Sequence, residues 1–194
     1  MTPLPLTSPH GLGPPSDWVL RFTHAQAAPL RVLDLACGSG RHVRTLAAAG
    51  HHVTAVDRDG AALTGLSGIA RTVLADLEGA AWPLDGERFD LVIVTNYLWR
   101  ALLPQVVASV APDGCLLYET FGLGHARFGR PSNPDFLLRP GELIRAVAGE
   151  LTLVAYEDGV LDGPPRWVQR IAACRPASAG HAGDATEPSR WQRL

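Results

Sequence analysis

The sequence predicts an α/β fold, a three-layer arrangement on a doubly wound, seven-stranded sheet that is mostly parallel and has an antiparallel C-terminal strand. Three observations carry this. Short apolar, β-branched runs alternate with helix-like segments through most of the chain. The run Asp90 to Thr95 (DLVIVT) is almost wholly apolar, as in a strand covered on both faces. The last two strand-like runs are joined by a link too short for a crossover helix, so they pair antiparallel.

Element by element, Arg31 to Ala36 (RVLDLA) is the first strand. Arg41 to Ala49 is helix-like and closes at Gly50, a common C-terminal cap. His52 to Asp57 is the second strand, and Asp59 can cap a helix to about Leu66. Thr72 to Asp76 is the third strand and Asp90 to Thr95 the fourth. Leu102 to Val110 is a helix that tolerates Pro104 in its first turn, and Gly114 to Phe121 is the fifth strand. Pro140 to Ala148 reads as a helix, and Leu151 to Glu157 and Trp167 to Cys174 are the closing strands. Ahead of them all, Ser16 can cap a helix carrying Trp18 and Val19. Residues 1–15 and 177–194 are rich in small and polar residues and are expected as flexible tails around a single domain over 16–176. Trp18 or Trp191 is the residue that could anchor either end.

The chain has 194 residues, 46% hydrophobic and 19% charged, enough apolar surface for a real core. Its net charge of -2 argues against a nucleic-acid or anionic-membrane binder. All 17 basic residues are Arg, which removes Schiff-base and P-loop lysine chemistry. Cys37, Cys115 and Cys174 form no CxxC pair, so neither a disulfide framework nor a metal site is expected. His51 and His52, adjacent on a strand, point to opposite faces. The first residues carry no basic n-region, and no apolar run approaches the ~18 residues that span a bilayer. The expected location is the cytoplasm.

The sharpest signal is Asp34-Leu35-Ala36-Cys37-Gly38-Ser39-Gly40, a strand running into a Gly-x-Gly turn with a helix after it. Ligands of open α/β sheets sit at the carboxyl ends of strands, near the topological switch point. A dinucleotide fits badly, because Val43 stands where its fingerprint needs Gly or Ala. Asp34, inside the first strand, is a poor neighbour for a pyrophosphate and a good one for an ammonium group. Asp57 ends the second strand, roughly 20 residues after the turn, where an acid can hold ribose hydroxyls. Asp76 and Leu77 end the third, where a carboxylate can accept from an exocyclic amine beside an apolar cover. S-adenosylmethionine meets this description.

The chain resembles class I S-adenosylmethionine-dependent methyltransferases, with their Rossmann-like sheet, over roughly residues 16 to 175. DLACGSG is similar to the family's first motif, VTAVD to the second and VLADLE to the third. GSGRHVRTLAAAGHHVTAVDRD and FGRPSNPDFLLRPGEL resemble the small bacterial tellurite-resistance-type members. The resemblance implies that Gly38 and Gly40 pass under the methionine portion with Asp34 nearby, and that Ala36 is also among the cofactor-binding residues. It places Asp57 on the ribose, Arg58, Asp76 and Leu77 at the adenine, and Thr95, Asn96 and Tyr97 near the sulfonium. It also implies that Trp18-Val19 closes over the cofactor. Members that methylate nucleic-acid amines usually carry Asn/Asp-Pro-Pro-aromatic after the fourth strand; here the chain reads Asn96-Tyr97-Leu98-Trp99.

Methyl transfer from a sulfonium needs a general base only if the nucleophile carries a proton at neutral pH. The candidates are Glu119, Tyr97 and His125, in that order. Phe121 to Pro140 lacks clear periodicity, and segments of that kind often serve as lids. Arg127 and Arg130 there, with Arg100, are candidates to grip an anionic substrate, and Phe121 and Phe128 to exclude water. The acceptor is expected to be a small molecule, anionic or a soft nucleophile. Two other classes stand beside this reading: a non-catalytic S-adenosylmethionine-binding module that regulates a partner, and a nicotinamide oxidoreductase.

Overall fold

The computed structural model of the chain describes residues 13–24, 26, 29–177 and 191. The elements are α1 (Asp17–Thr23), β1 (Arg31–Leu35), α2 (Arg41–Ala48), β2 (His52–Asp57), α3 (Gly60–Thr64), β3 (Arg71–Leu74) and β4 (Phe89–Thr95). They continue with α4 (Leu103–Ala108), β5 (Val110–Phe121), α5 (Glu142–Val147), β6 (Thr152–Leu161) and β7 (Arg166–Cys174). The seven strands form one sheet in the order β3-β2-β1-β4-β5-β7-β6. Neighbours from β3 to β5 are parallel, and β7 runs antiparallel to both β5 and β6. The expected seven-stranded sheet with its reversed C-terminal strand is the observed one.

Side chains alternate across each strand, so the sheet has two cores. Leu33, Leu35, Val92, Val94, Leu116 and Ile171 face the layer of α4 and α5. Val32, Leu91, Ile93, Leu117 and Ala172 face α1, α2 and α3. Asp34 falls on this second face, by the same alternation that buries Val32. After β3 the chain crosses back to place β4 beside β1, and this reversal is the switch point of the sheet. Ser16 caps α1 by accepting from the Trp18 amide. Trp18 is buried and its indole donates to the Ile171 carbonyl. Trp191 is also fully buried, its indole donating to the Asp113 carbonyl. The rest of the expected tails, 1–12, 178–190 and 192–194, lies outside the described residues.

Several boundaries differ from expectation. β3 ends at Leu74 rather than Asp76, and α3 stops at Thr64. β5 starts at Val110 because Phe89 pairs there, before a register shift that leaves Asp113 in the left-handed region. The segment after β5 is folded back on the domain. It contains short 3-10 turns at Leu123–Arg127 and Pro134–Phe136, and Gly122 bridges to Leu138. Leu137 and Leu138 are fully buried. Trp167 lies against the backbone of Gly122 and Gly124, and its indole donates to Asp158 at 2.7 Å.

A Cβ at Gly124 would sit 2.2 Å from the Trp167 ring. Gly124→Ala should therefore destabilise the protein by about 1–3 kcal/mol. Denaturant unfolding measures this, and Trp167→Leu in the same chain should recover part of the loss.

Candidate functional site

One cleft opens at the carboxyl ends of β1, β2 and β4. Its larger part, about 810 Å³, is lined by the Gly38–Ser39 turn, Arg41, Asp57, Thr95 and Asn96, among others. A narrower slot of about 130 Å³ is bounded by Ala36, Ala75, Asp76, Leu77, Glu78 and Tyr97. Asp57 and Arg58 line both parts. The larger part falls in the size range of small-molecule sites.

The turn after β1 is built for a close approach. Ala36, Gly38 and Gly40 all have positive φ. A Cβ at Gly38 would meet nothing within 4 Å, so a side chain there would fill the cleft. Gly40 differs: a Cβ there would sit 2.5 Å from Leu66, so its small size serves packing. Asp57 is held by the Gly38 amide at 2.7 Å and the Asp59 amide at 2.9 Å, which fixes its carboxylate in the cleft wall. Asp76 accepts from the Glu78 amide, and Arg58 faces Glu78 at 3.9 Å.

Asp34 is 1% exposed, and neither carboxylate oxygen has a hydrogen-bond partner. Burial pushes its carboxyl up to about 7, against an opposing pull from Arg41. His42 lies 3.8 Å away, beyond hydrogen-bonding distance. Burial, with Arg41 beside it, holds His42 down at about 3, so its ring is neutral. The Ser16 amide donates to its Nε2 at 3.0 Å, which puts the ring proton on Nδ1, toward Asp34. An orphaned buried acid of this kind suits a cationic group, directly or through water. These features fit a zwitterionic amino acid joined to a ribose and a flat base.

The structure brings Ala36, Gly38, Asp57, Arg58, Asp76, Leu77, Thr95 and Asn96 to one cleft. Of the other expected residues, Asp34 and Gly40 line neither part of the cleft. Tyr97 lines the narrow slot, and burial raises its phenol to about 12, so it is a poor base. Glu119 is buried beneath α1, where it accepts from the Ser16 hydroxyl at 3.1 Å and faces Arg170 at 3.5 Å. His125 stacks on Phe121 and its Nε2 sits 3.1 Å from the Arg130 carbonyl. Arg100, expected to grip substrate, instead clamps Glu142 and the carbonyls of Asp135 and Leu137. Arg127, Phe128 and Arg130 are exposed, and neither part of the cleft is lined by them. Burial pushes the Cys37 thiol up, which leaves it unreactive. Arg41, Ser39 and Glu78 are not among the expected site residues; their places beside Gly40 and Leu77 in sequence are the available signal.

Asp34 binds its proton more tightly folded than unfolded, so wild-type stability falls as pH rises from about 4 to about 7. Asp34→Asn, always neutral, should be the more stable ligand-free protein by a few kcal/mol above pH 7. The gain should shrink toward pH 4. Denaturant melts at pH 5 and pH 8 measure it; an equal gain at both would contradict a burial-raised carboxyl as the cause.

Residues 32–114 match a family described as a methyltransferase domain. No curated protein matches the sequence. Among solved structures, TehB from Haemophilus influenzae superposes with a TM-score of 0.65 at 20% identity, over 82% of this chain and 61% of that one. The chain thus spans less than two thirds of that protein. A SAM-dependent methyltransferase from Methanosarcina mazei gives 0.65 at 13% identity, covering 85% of this chain and all of its own. The N-methyltransferase NodS from Bradyrhizobium japonicum gives 0.64 at 18%, over 81% and 92%. The matched domain spans the sheet from β1 into β5, and the fold is the one these methyltransferases of known structure share.

Proposed function

We propose that the chain is a single methyltransferase domain that moves a methyl group to a small-molecule acceptor by in-line displacement. The observation that carries this is a cleft whose larger part and narrow apolar-walled slot share the amide-held Asp57, with the orphaned acid Asp34 buried in the strand that leads to it. In this reading Asp34 faces the ammonium and Asp57 takes the ribose hydroxyls. The slot between Ala75, Leu77 and Tyr97 takes the adenine, with Asp76 at its amino group. The Gly38 turn lets the backbone lie close beneath the methionine portion. S-adenosylmethionine supplies a methyl group on a positively charged sulfur, already activated for transfer. The chain's own part is to position, orient and exclude water.

The acceptor enters from the side of Thr95, Asn96 and Arg41. None of the three candidate bases lines that part of the cleft. This supports an acceptor whose nucleophile arrives without its proton, such as a thiolate or a soft oxyanion.

Calorimetric titration tests the cofactor roles. S-adenosylmethionine and S-adenosylhomocysteine should bind with micromolar affinity, NAD should not bind, and Asp57→Ala should weaken the first two by roughly 10–100-fold. Affinity should rise as pH passes through about 7, where Asp34 gives up its proton. Asp34→Asn should abolish that slope. An acceptor panel of small thiols, chalcogen oxyanions, amines and bulk RNA then tests the rest. Turnover on RNA alone defeats the small-molecule reading, and tight binding without turnover on any acceptor favours a binding module.

A further inference from the structure

Cys115 and Cys174 stand roughly 60 positions apart in the chain, and no spacing motif links them. The fold brings them face to face: across the antiparallel pairing of β5 with β7, Cys174 is the register partner of Cys115. Both are thiols, and both side chains are buried in the core that faces α1, α2 and α3. Cys115 also pairs with Leu91, near the start of β4, so the two thiols lie at the end of the sheet away from the cleft. Cys37 is the cysteine of the cleft wall. The kind of pairing decides what the opposed thiols can do. Directly opposed residues of an antiparallel ladder alternate between hydrogen-bonded and non-hydrogen-bonded pairs. The Gly122 amide donates to the Trp167 carbonyl at 3.1 Å, and the Arg175 amide to the Gly114 carbonyl at 2.9 Å. These bonds mark hydrogen-bonded pairs at the two ends of an unbroken register, so Cys115 and Cys174 fall in a non-hydrogen-bonded pair. Opposed Cα atoms of such pairs are ~4.5 Å apart, with their side chains close together. That separation lies inside the range of about 4.4–6.8 Å that a disulfide spans.

Access differs between the two thiols. Cys115 is 0% exposed and Cys174 6%. Cys174 closes β7, its neighbour Thr152 opens β6, and a register shift follows at Leu153 and Ala155. The pairing is therefore easiest to open on the Cys174 side, at a strand end beside a bulge. We propose that Cys115 and Cys174 form a reversible intramolecular disulfide that fastens β5 to β7. The oxidant is a low-molecular-weight disulfide such as oxidised glutathione. The Cys174 thiolate attacks one of its sulfurs and expels a glutathione thiolate. The Cys115 thiolate then attacks the Cys174 sulfur of the mixed disulfide and expels the second. The cysteine pair is oxidised as the small disulfide is reduced, and the two protons the cysteines give up pass to the two released thiolates. The link ties the β6–β7 hairpin to the parallel part of the sheet. It closes a loop of about 60 residues, and so restricts the unfolded chain in the chain-entropy account of such links. The assignment is independent of the cofactor reading.

The test exposes the full, folded chain to oxidised glutathione, blocks the remaining thiols with iodoacetamide in denaturant and maps the cysteines by peptide mass spectrometry. A link between Cys115 and Cys174 should form with Cys37 left alkylated, and dithiothreitol should reverse it. The oxidised protein should melt about 5–15 °C above the reduced one. In Cys115→Ser a glutathione adduct should persist on Cys174, with no second thiol to resolve it. Its absence there would refute Cys174 as the thiol attacked first. The proposal is overturned if the folded chain keeps both thiols, if the link forms only in denatured protein, or if it joins Cys37. An unchanged or lowered melting midpoint would overturn the claim that the fold presets the pair. These last outcomes are read on the wild-type chain, so the test stands even where Cys115→Ser fails to fold.

Discussion

The parallel pairing of β1 with β4 is the constraint on which the rest of the molecule depends. Both strands are buried on two faces, and the chain leaves them in opposite directions along the sheet. No crossover helix can cover the gap where the two connections part, so a cleft must open there. The backbone turns sharply at that point on both strands. Ala36 and Asn96, the residues that follow them, lie in the left-handed region at φ 51° and 55°. For a residue with a Cβ this costs on the order of 1 kcal/mol. Both residues line the cleft, in keeping with strain held where a ligand is bound.

A second device keeps the cleft's open side in order. A row of polar side chains crosses the sheet at one register: Thr95, Glu119, Arg170 and Glu157. The helix α1 docks on that row. Ser16 bonds Glu119, Trp18 covers the Arg170 guanidinium at 4.8 Å from its centroid, and Arg21 meets Glu157. Seven residues are too few for a helix to stand alone in water. Its order comes from this docking and from burial of Trp18, Val19 and Phe22. Because Pro14 and Ser16 are in turn tied to Arg41 and His42, the residues on either side of the cleft's deep end are set by the same contacts.

Much of this is legible in the sequence, and the reason is locality. Strand periodicity, the Gly-x-Gly turn and the acids at strand ends are all encoded within a few residues. Asp34, Asp57 and Asp76 can therefore be read without the fold. The side chains that depend on distant partners cannot. Arg100 is committed to Glu142, 42 positions away, and Glu119 to Ser16, 103 positions away. Tyr97 follows a left-handed residue, and so turns toward the narrow slot instead of continuing the line of β4. The start of β5 is hidden because its first pairing, Val110 with Phe89, is followed by a bulge. Arg41 escapes a reading of the residues alone, because adjacency to a glycine turn does not reveal which way a helix's first side chain will reach.

The buried, unpartnered carboxylate of Asp34 has a consequence beyond binding. A molecule that gives an ionisable group no partner until a ligand arrives is weaker empty than loaded, and the bound form gains stability by mass action. Cellular proteases and chaperones act on the unfolded fraction, so small differences of this kind change how much protein persists. On the function proposed above, the abundance of this chain should accordingly follow the supply of the ligand that meets Asp34, without any dedicated regulator.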